Sequence, residues 1–419
     1  MTLHDDIDEE VDRDMGWDRL PGAPKTRQRR RASLGPKVYA VAARLWQAVA
    51  PLRRFLADIA RRLAKVAFFP LIGPFNYSRT SDGSDTILVK RSLPHRLLNG
   101  LLARLLLTPV ILTIFLLCVV YANTHPAHVL ASNTPESVGV FFQRVELLSI
   151  DNQRLAAWYI PPLTTDDVAF DPENALIEKY PAVVICHGLG AAQDQYLPLA
   201  EKLHHAGFAV LMLDTRGQGE SGAGAVTYGL RERMDVLAGV KYLRERESVD
   251  AAHVCVVGHD ISATAVMQAT ALDSSIAAVV ADGMWPGFDG RAEQIFGRAS
   301  GGEGFATRWL APLYTTAFEA VVRDSLSQLD PAAVLKSLHT QPVLFIARTG
   351  DAYLPVQQVL TLATSVGSRH RVIIADDAAK AGQNVDSAIC DFLTTTIGWH
   401  GPNAHGIDQI KNLLRNQVQ

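Results

Sequence analysis

HVCVVGHDISATAVMQAT, residues 253–270, is the stretch that decides the fold. Its first third, HVCVVG (253–258), is a short apolar run closed by glycine, the pattern of a strand buried on both faces. Residues 262–272 read as a helix. Between them Gly258-His259-Asp260-Ile261-Ser262 must turn from strand to helix in a few residues. Such a turn needs small side chains two before and two after its tip, here Gly258 and Ser262. It presents the tip residue, Asp260, above the sheet beside amides that favour negative charge.

Outward from this turn, similar runs recur. PAVVIC (181–186), FAVLMLD (208–214), IAAVVAD (276–282), PVLFIA (342–347) and RVIIAD (371–376) are short, apolar and bounded by turn residues. Helical segments at 195–205, 230–246 and 356–366 separate several of them. Ahead of these runs, VFFQRVELLS (140–149) and RLAAWYIPP (154–162) form an expected antiparallel opening pair. Strands alternating with helices predict an α/β fold with a mostly parallel, doubly wound sheet.

Three motifs follow these strands in order. They are His187-Gly188-Leu189-Gly190, then Asp214-Thr215-Arg216-Gly217-Gln218-Gly219-Glu220-Ser221, then the turn around Asp260. Together with the RLAAWYIPP segment they resemble the α/β-hydrolase superfamily, in its dienelactone-hydrolase-like and acetyl-esterase-like branch, over about 138–396. The resemblance implies that HGLG is an oxyanion loop and that Asp260 stands at the nucleophile position. It makes the backbone amides of Leu189 and Ile261 the oxyanion pair, and it places the acid at Asp351, in Thr349-Gly350-Asp351. Asp282 is the less common alternative for the acid.

Against that pattern the residues depart twice. The tip is Asp where the family has Ser or Cys. Two readings stand. Asp260 could attack an alkyl carbon, as in dehalogenase and epoxide-hydrolase branches. Alternatively, Asp is tolerated there because the tip requires positive φ, where Asp and Asn are enriched. The base is also absent, since the loop after the last strand, DDAAKAGQN (376–384), has no histidine. His253, His339 and His370 precede strands, at the wrong end of the sheet. His204 and His205 end a helix, expected at its surface. His187 and His259 lie near strand ends, but neither is expected to reach the tip. Lys380 stands about where the base would be. An ordinary lysine pKa of about 10.4 makes it a poor base without strong desolvation, so an Asp260–Lys380 ion pair is the expected replacement.

Further upstream the chain changes character. LLLTPVILTIFLLCVVYA (105–122) carries no charge, and 101–122 is expected to cross a membrane once as a helix. Lys90, Arg91, Arg96 and Arg104 precede it, while the next Lys or Arg after it is Arg144. That bias places the N-terminus in the cytoplasm and the C-terminal domain on the exoplasmic side, the periplasm in a bacterium. Residues 1–24 hold eight acidic and two basic side chains, and residues 25–104 hold 17 basic and three acidic. Within this, 37–70 reads as an amphipathic helix with Val41, Leu45, Leu52, Leu56 and Leu63 on one stripe and Arg44, Arg54, Arg61 and Arg62 opposite. It suits an anionic leaflet or a partner protein equally well. Residues 1–36 read as a disordered charged tail, 71–100 as a linker and 397–419 as a C-terminal extension.

The four cysteines read as small buried hydrophobes, apart from Cys118 in the apolar run. Nothing in the pattern calls for a cofactor, a metal or nucleic acid, since the basic stretch is explained by the leaflet it adjoins. The expectation is therefore a single-span membrane protein with a hydrolase-type domain that binds or assembles without catalysis. The alternative is a hydrolase of ester, thioester or alkyl substrates using Asp260 with an atypical base.

Overall fold

Valine-rich runs buried on both sides need cover above and below, and the observed architecture supplies it. The computed structural model describes residues 77–82, 85–90, 92–162, 178–284, 287–288, 305–338, 340–349, 354–366, 369–375 and 381–401. The expected tail (1–36), the amphipathic helix (37–70), Asp351, Lys380 and most of the extension lie outside the described residues. The chain divides into two compact units, 1–108 and 109–419.

In the first unit, β1 (Tyr77–Asp82) and β2 (Asp85–Lys90) pair as an antiparallel hairpin, and α1 (Leu93–Thr124) begins just after it. The linker expected over 71–100 thus contains a hairpin and a helix start. The pairing brings Asp82 opposite Asp85 in register. The expected span of 101–122 lengthens to 32 residues, about 48 Å at 1.5 Å per residue. Helix α1 is long and apolar enough to cross a membrane. Most of its large side chains are exposed, Leu105 and Leu106 at 71% each.

In the second unit an eight-stranded mixed sheet has the order β10-β9-β8-β7-β5-β6-β4-β3. The strands are β3 (Gln143–Leu148), β4 (Arg154–Ile160), β5 (Tyr180–Cys186), β6 (Ala209–Leu213), β7 (Val249–His259), β8 (Val279–Asp282), β9 (Val343–Arg348) and β10 (His370–Ala375). The opening pair β3–β4 is antiparallel, as is β4–β6, and the remaining pairings are parallel. After β5 the chain steps outward to β6 and then returns across to β7. That reversal opens a crevice at the carboxyl ends of β5 and β7, where ligands of open α/β sheets bind.

The helices are α2 (Leu197–His205), α3 (Glu232–Arg244), α4 (Ile261–Leu272), α5 (Phe305–Val322), α6 (Pro331–Ser337), α7 (Val356–Thr364) and α8 (Ala381–Ile397). Alternate strand residues feed two separate cores. Val184, Leu211, Val254 and Val256 pack with Val236, Val240 and Met267 of α3 and α4. Val183, Ile185, Met212 and Val257 pack with Leu203 of α2 and Ile389 and Leu393 of α8. Each such side chain stabilises the fold by about 1.5–3 kcal/mol through burial. Pleat alternation between two covered faces is why these strands read as continuous apolar runs.

A third cluster covers the top of the crevice. Phe288, Ala311, Tyr314, Phe318 and Val322 meet Tyr228, Leu230 and Ile261, and Leu116 and Val120 from the end of α1 join them. The backbone amide of Val226 donates to the Thr124 carbonyl at 2.7 Å, and the Tyr228 hydroxyl donates to the Asn123 carbonyl at 3.2 Å. The last turns of the apolar helix are therefore part of the domain's own packing.

Candidate functional site

Strand β7 runs straight into α4 through Asp260, whose φ of 53° and ψ of −118° no other residue of the turn shares. A non-glycine residue at positive φ is uncommon and must be held there by its surroundings. Three bonds do so. The Asp260 amide donates to the Asp282 carbonyl at 2.8 Å, the Ala263 amide donates to the Asp260 carbonyl at 3.1 Å, and Ser262 Oγ donates to the His187 carbonyl at 2.7 Å. A Cβ on Gly258 would collide with the Ser262 carbonyl oxygen, so only glycine fits two before the tip. A Cβ on Gly188 would lie 3.0 Å from the Asp260 Cβ, which shows how closely the HGLG loop approaches.

That approach sets the central contact. The Leu189 backbone amide donates to Asp260 Oδ2 at 3.2 Å. Ile261 is buried at the first turn of α4, with its side chain in the upper cluster. Leu189 and Ile261 thus flank Asp260, and one of the two expected oxyanion amides is turned onto the tip carboxylate. Gly190 is braced by its own amide donating to Gln218 Oε1 at 3.0 Å, and Gln218 Nε2 donates to Thr215 Oγ1 at 3.0 Å.

The second motif is scaffold throughout. Asp214 accepts from the Glu220 amide at 2.8 Å and is bonded to His187 Nε2 at 3.0 Å, so His187 is committed to this turn and fully buried. Ser221 Oγ donates to the Asp214 carbonyl at 2.6 Å and accepts from the Ala156 amide at 2.8 Å, tying the turn to β4. Arg216 is buried between two carboxylates, bonded to Asp235 at 2.6 Å and to Asp151 at 2.6 Å. Hydrogen bonding to Arg216 holds the Asp151 carboxyl below the usual carboxylate range. Glu232, the first residue of α3, closes the preceding loop by accepting from the Thr227 and Gly229 amides and from Thr227 Oγ1.

His259, not expected to reach the tip, holds a definite place in a second cluster. His259 and Asp282 are register partners on β7 and β8, and His259 Nδ1 is bonded to Asp282 Oδ2 at 2.9 Å. Asp282 also accepts from Arg348 at Oδ1, and from its second nitrogen at Oδ2 at 2.7 Å. Burial alone would raise the Asp282 carboxyl, but the bond and charge of His259, followed by those of Arg348, outweigh it and hold it below its ordinary value. The His259 ring stacks on Tyr196 at 3.9 Å between centroids. Burial, with the Asp282 charge, pushes the Tyr196 phenol well above its usual range. Among the described residues His259 Nε2 meets no hydrogen-bond partner. A residue before a strand's tip points to the opposite face from it, which is why His259 faces α2 and α8 while Asp260 does not. The signal available in sequence was Asp282, at the end of the adjacent strand.

The other expectations can be placed. His204 is buried rather than at the surface, because it sits on the inward face of α2, while His205 is exposed. Cys186, Cys255 and Cys390 are buried, and Cys118 is exposed on α1. Among the described residues, no group of three His, Cys, Asp or Glu side chains is arranged to hold a metal ion.

A family model described as alpha/beta hydrolase fold matches residues 181–307, from β5 to the start of α5. The Pyrococcus furiosus esterase Pf2001 resembles the chain in two crystal forms, each at 21% identity and a TM-score of 0.50. Each covers 66% of this chain, and 100% and 98% of its own. Est1E from Butyrivibrio proteoclasticus, solved with ferulic acid bound, is 18% identical with a TM-score of 0.47, over 61% of this chain and 100% of that one. No curated protein matches the sequence. At these identities the likeness shows the fold, which is that of the α/β hydrolases with a mixed sheet.

Proposed function

We propose that this chain is a membrane-anchored α/β-hydrolase-fold protein whose domain binds a ligand or a protein partner without turning it over. The hydrogen bond from the Leu189 amide to Asp260 Oδ2 carries this reading. In acyl transfer that amide must be open to the substrate's carbonyl oxygen, where negative charge develops in the transition state. A resident carboxylate takes the position and repels the developing oxyanion. The histidines support the same conclusion. Both ring nitrogens of His187 are bonded within the scaffold, to the Gly188 carbonyl and to Asp214, and His259 lies on the opposite face from Asp260, stacked on Tyr196. In this reading Lys380 neutralises Asp260 as an ion pair and Asp351 keeps the acid position without work to do.

A panel of esters, thioesters, epoxides and haloalkanes offered to the full chain tests the proposal. No turnover is expected. Turnover that Asp260→Ala abolishes would refute it. The paired change Asp260→Ser with Lys380→His is expected to create measurable esterase activity, since it restores a hydroxyl nucleophile with a base and clears the carboxylate from the amide.

One observation favours a second reading. The Leu189 amide that donates to Asp260 Oδ2 would also orient the carboxylate as it attacks an alkyl carbon. The carbon–leaving-group bond would break with its electron pair, forming an ester on Asp260 that water then hydrolyses to an alcohol. Single turnover in ¹⁸O-labelled water distinguishes the two, because this route places the label in the Asp260 carboxylate.

The anchor is α1, with the N-terminus cytoplasmic and the domain on the exoplasmic side. The charge bias around residues 90–144 supports that orientation. A C-terminal reporter active only in the cytoplasm would overturn it. The cationic segment 37–70 then lies against the anionic leaflet or docks a partner in the same membrane, and deleting 25–70 should weaken association with anionic vesicles while leaving the span in place.

A further inference from the structure

We infer that α5, the helix above the Asp260 crevice, beds one face into the lipid bilayer beside the end of α1. This rests on the reading of α1 as a membrane span. Helix α5 is apolar on two faces. Its inner stripe, Tyr314, Phe318 and Val322, is buried in the cluster that also holds Leu116 and Val120 of α1. Its outer stripe, Trp309, Pro312, Leu313, Thr316 and Ala320, is exposed, Trp309 at 61%, and uncharged. Arg323 lies in line with it only past the last turn, and Glu319 at its edge turns its carboxylate to accept from the Leu326 amide at 2.8 Å. The spacing of 309, 313, 316 and 320 is that of a single helix face. A helix facing water on that side would carry charges there, whereas one that is apolar all round is covered on both sides.

The polar groups on this stripe agree with a lipid neighbour. Thr316 Oγ1 donates to the Pro312 carbonyl at 3.0 Å, and beside the stripe the half-buried Thr315 Oγ1 donates to the Ala311 carbonyl at 3.0 Å. The hydroxyls are therefore satisfied within the helix, as a low-dielectric setting demands. Helix α1 repeats the device, with Thr113 Oγ1 donating to the Pro109 carbonyl at 2.8 Å. Tryptophan at the near end of the stripe suits the headgroup boundary. The occupant that fits is the bilayer into which α1 already leads, because both helices share one packed cluster and present uncharged faces. Ile261 belongs to that cluster, so the Asp260 turn would lie one helix layer beneath the membrane surface.

The test uses the full chain in phosphatidylcholine–phosphatidylglycerol vesicles, with and without lipids brominated near the headgroup end of their acyl chains. The difference between the parent and Trp309→Phe isolates the Trp309 emission. Flotation with the vesicles, together with a blue shift and loss of that emission on bromination, is the expected result. Flotation with Trp309 emission unchanged would overturn the inference while leaving the span intact. Failure to float would sink the span reading and this inference with it. A blue shift that depends on protein concentration without vesicles would assign the face to a second copy of the chain. Leu313→Glu, on the exposed stripe, should preserve flotation through α1 and abolish the bromine quenching.

Discussion

Asp260 is kept at positive φ by bonds to β8 and to the HGLG loop, and glycine at 258 is what lets the strand enter so tight a turn. Gly258→Ala would force a methyl group into the Ser262 carbonyl. A loss of about 3 kcal/mol is expected, the upper range for overpacking a close-packed site, read as a lower urea midpoint. Asp282 makes a different prediction. Its carboxyl titrates lower in the folded protein than the unfolded value of about 3.9. The stability it contributes is therefore present above about pH 4 and lost as pH falls through the folded value. Asp282→Asn removes that dependence, so the variant should be less stable at neutral pH yet lose less on acidification from about pH 5 to pH 3. Equal acid slopes in urea titrations of the two proteins would refute the assignment.

At the scale of elements, the upper cluster is where the helix above the crevice and the end of α1 meet. Phe318 is fully buried there, with ring centroids 4.5 Å from Phe288 and 5.9 Å from Tyr228. Phe318→Ala should cost about 3–5 kcal/mol if the cluster cannot collapse around the gap. Because the cluster covers the crevice without forming the sheet, the loss should appear first as faster proteolysis of α5 and only later as global unfolding. Simultaneous loss of sheet and helix would show that the two are one cooperative unit. The element most changed by the structure is α1, whose final turns belong to the domain's packing and extend the helix beyond the 101–122 expected from hydropathy. The run of hydrophobicity marks what lipid can cover, while the helix itself continues through Asn123 and Thr124, whose side chains bond back to its own carbonyls.

For the whole molecule the cysteines give a compact test. Cys186 and Cys255 are fully buried in the sheet, and burial raises both thiols well above their usual range, that of Cys255 to about 12. Cys118 is exposed on α1, where the proposed bilayer would cover it. In vesicles, a charged maleimide should therefore label none of the four cysteines in the native chain and all four after denaturation. Labelling of Cys118 in intact vesicles would put that helix in water.

The sequence by itself determined the layered fold, because a doubly covered strand must be apolar at every position and a strand-to-helix turn this tight admits only small residues around its tip. The runs PAVVIC, FAVLMLD and HVCVVG and the turn at Gly258–Ser262 were legible on those grounds alone. That an aspartate, Asp260, stands at the tip of that turn was legible too, since it is a matter of residue identity. Only the tertiary structure decided what the remaining polar residues do. His259 meets Asp282 because β7 and β8 are in register, His187 meets Asp214 across two adjacent strands, and Leu189 turns its amide onto Asp260 because two loops close on one crevice. Each contact joins residues far apart in the chain. Propensity and periodicity act over one helix turn or one strand, so partnerships set by strand order lie beyond their reach.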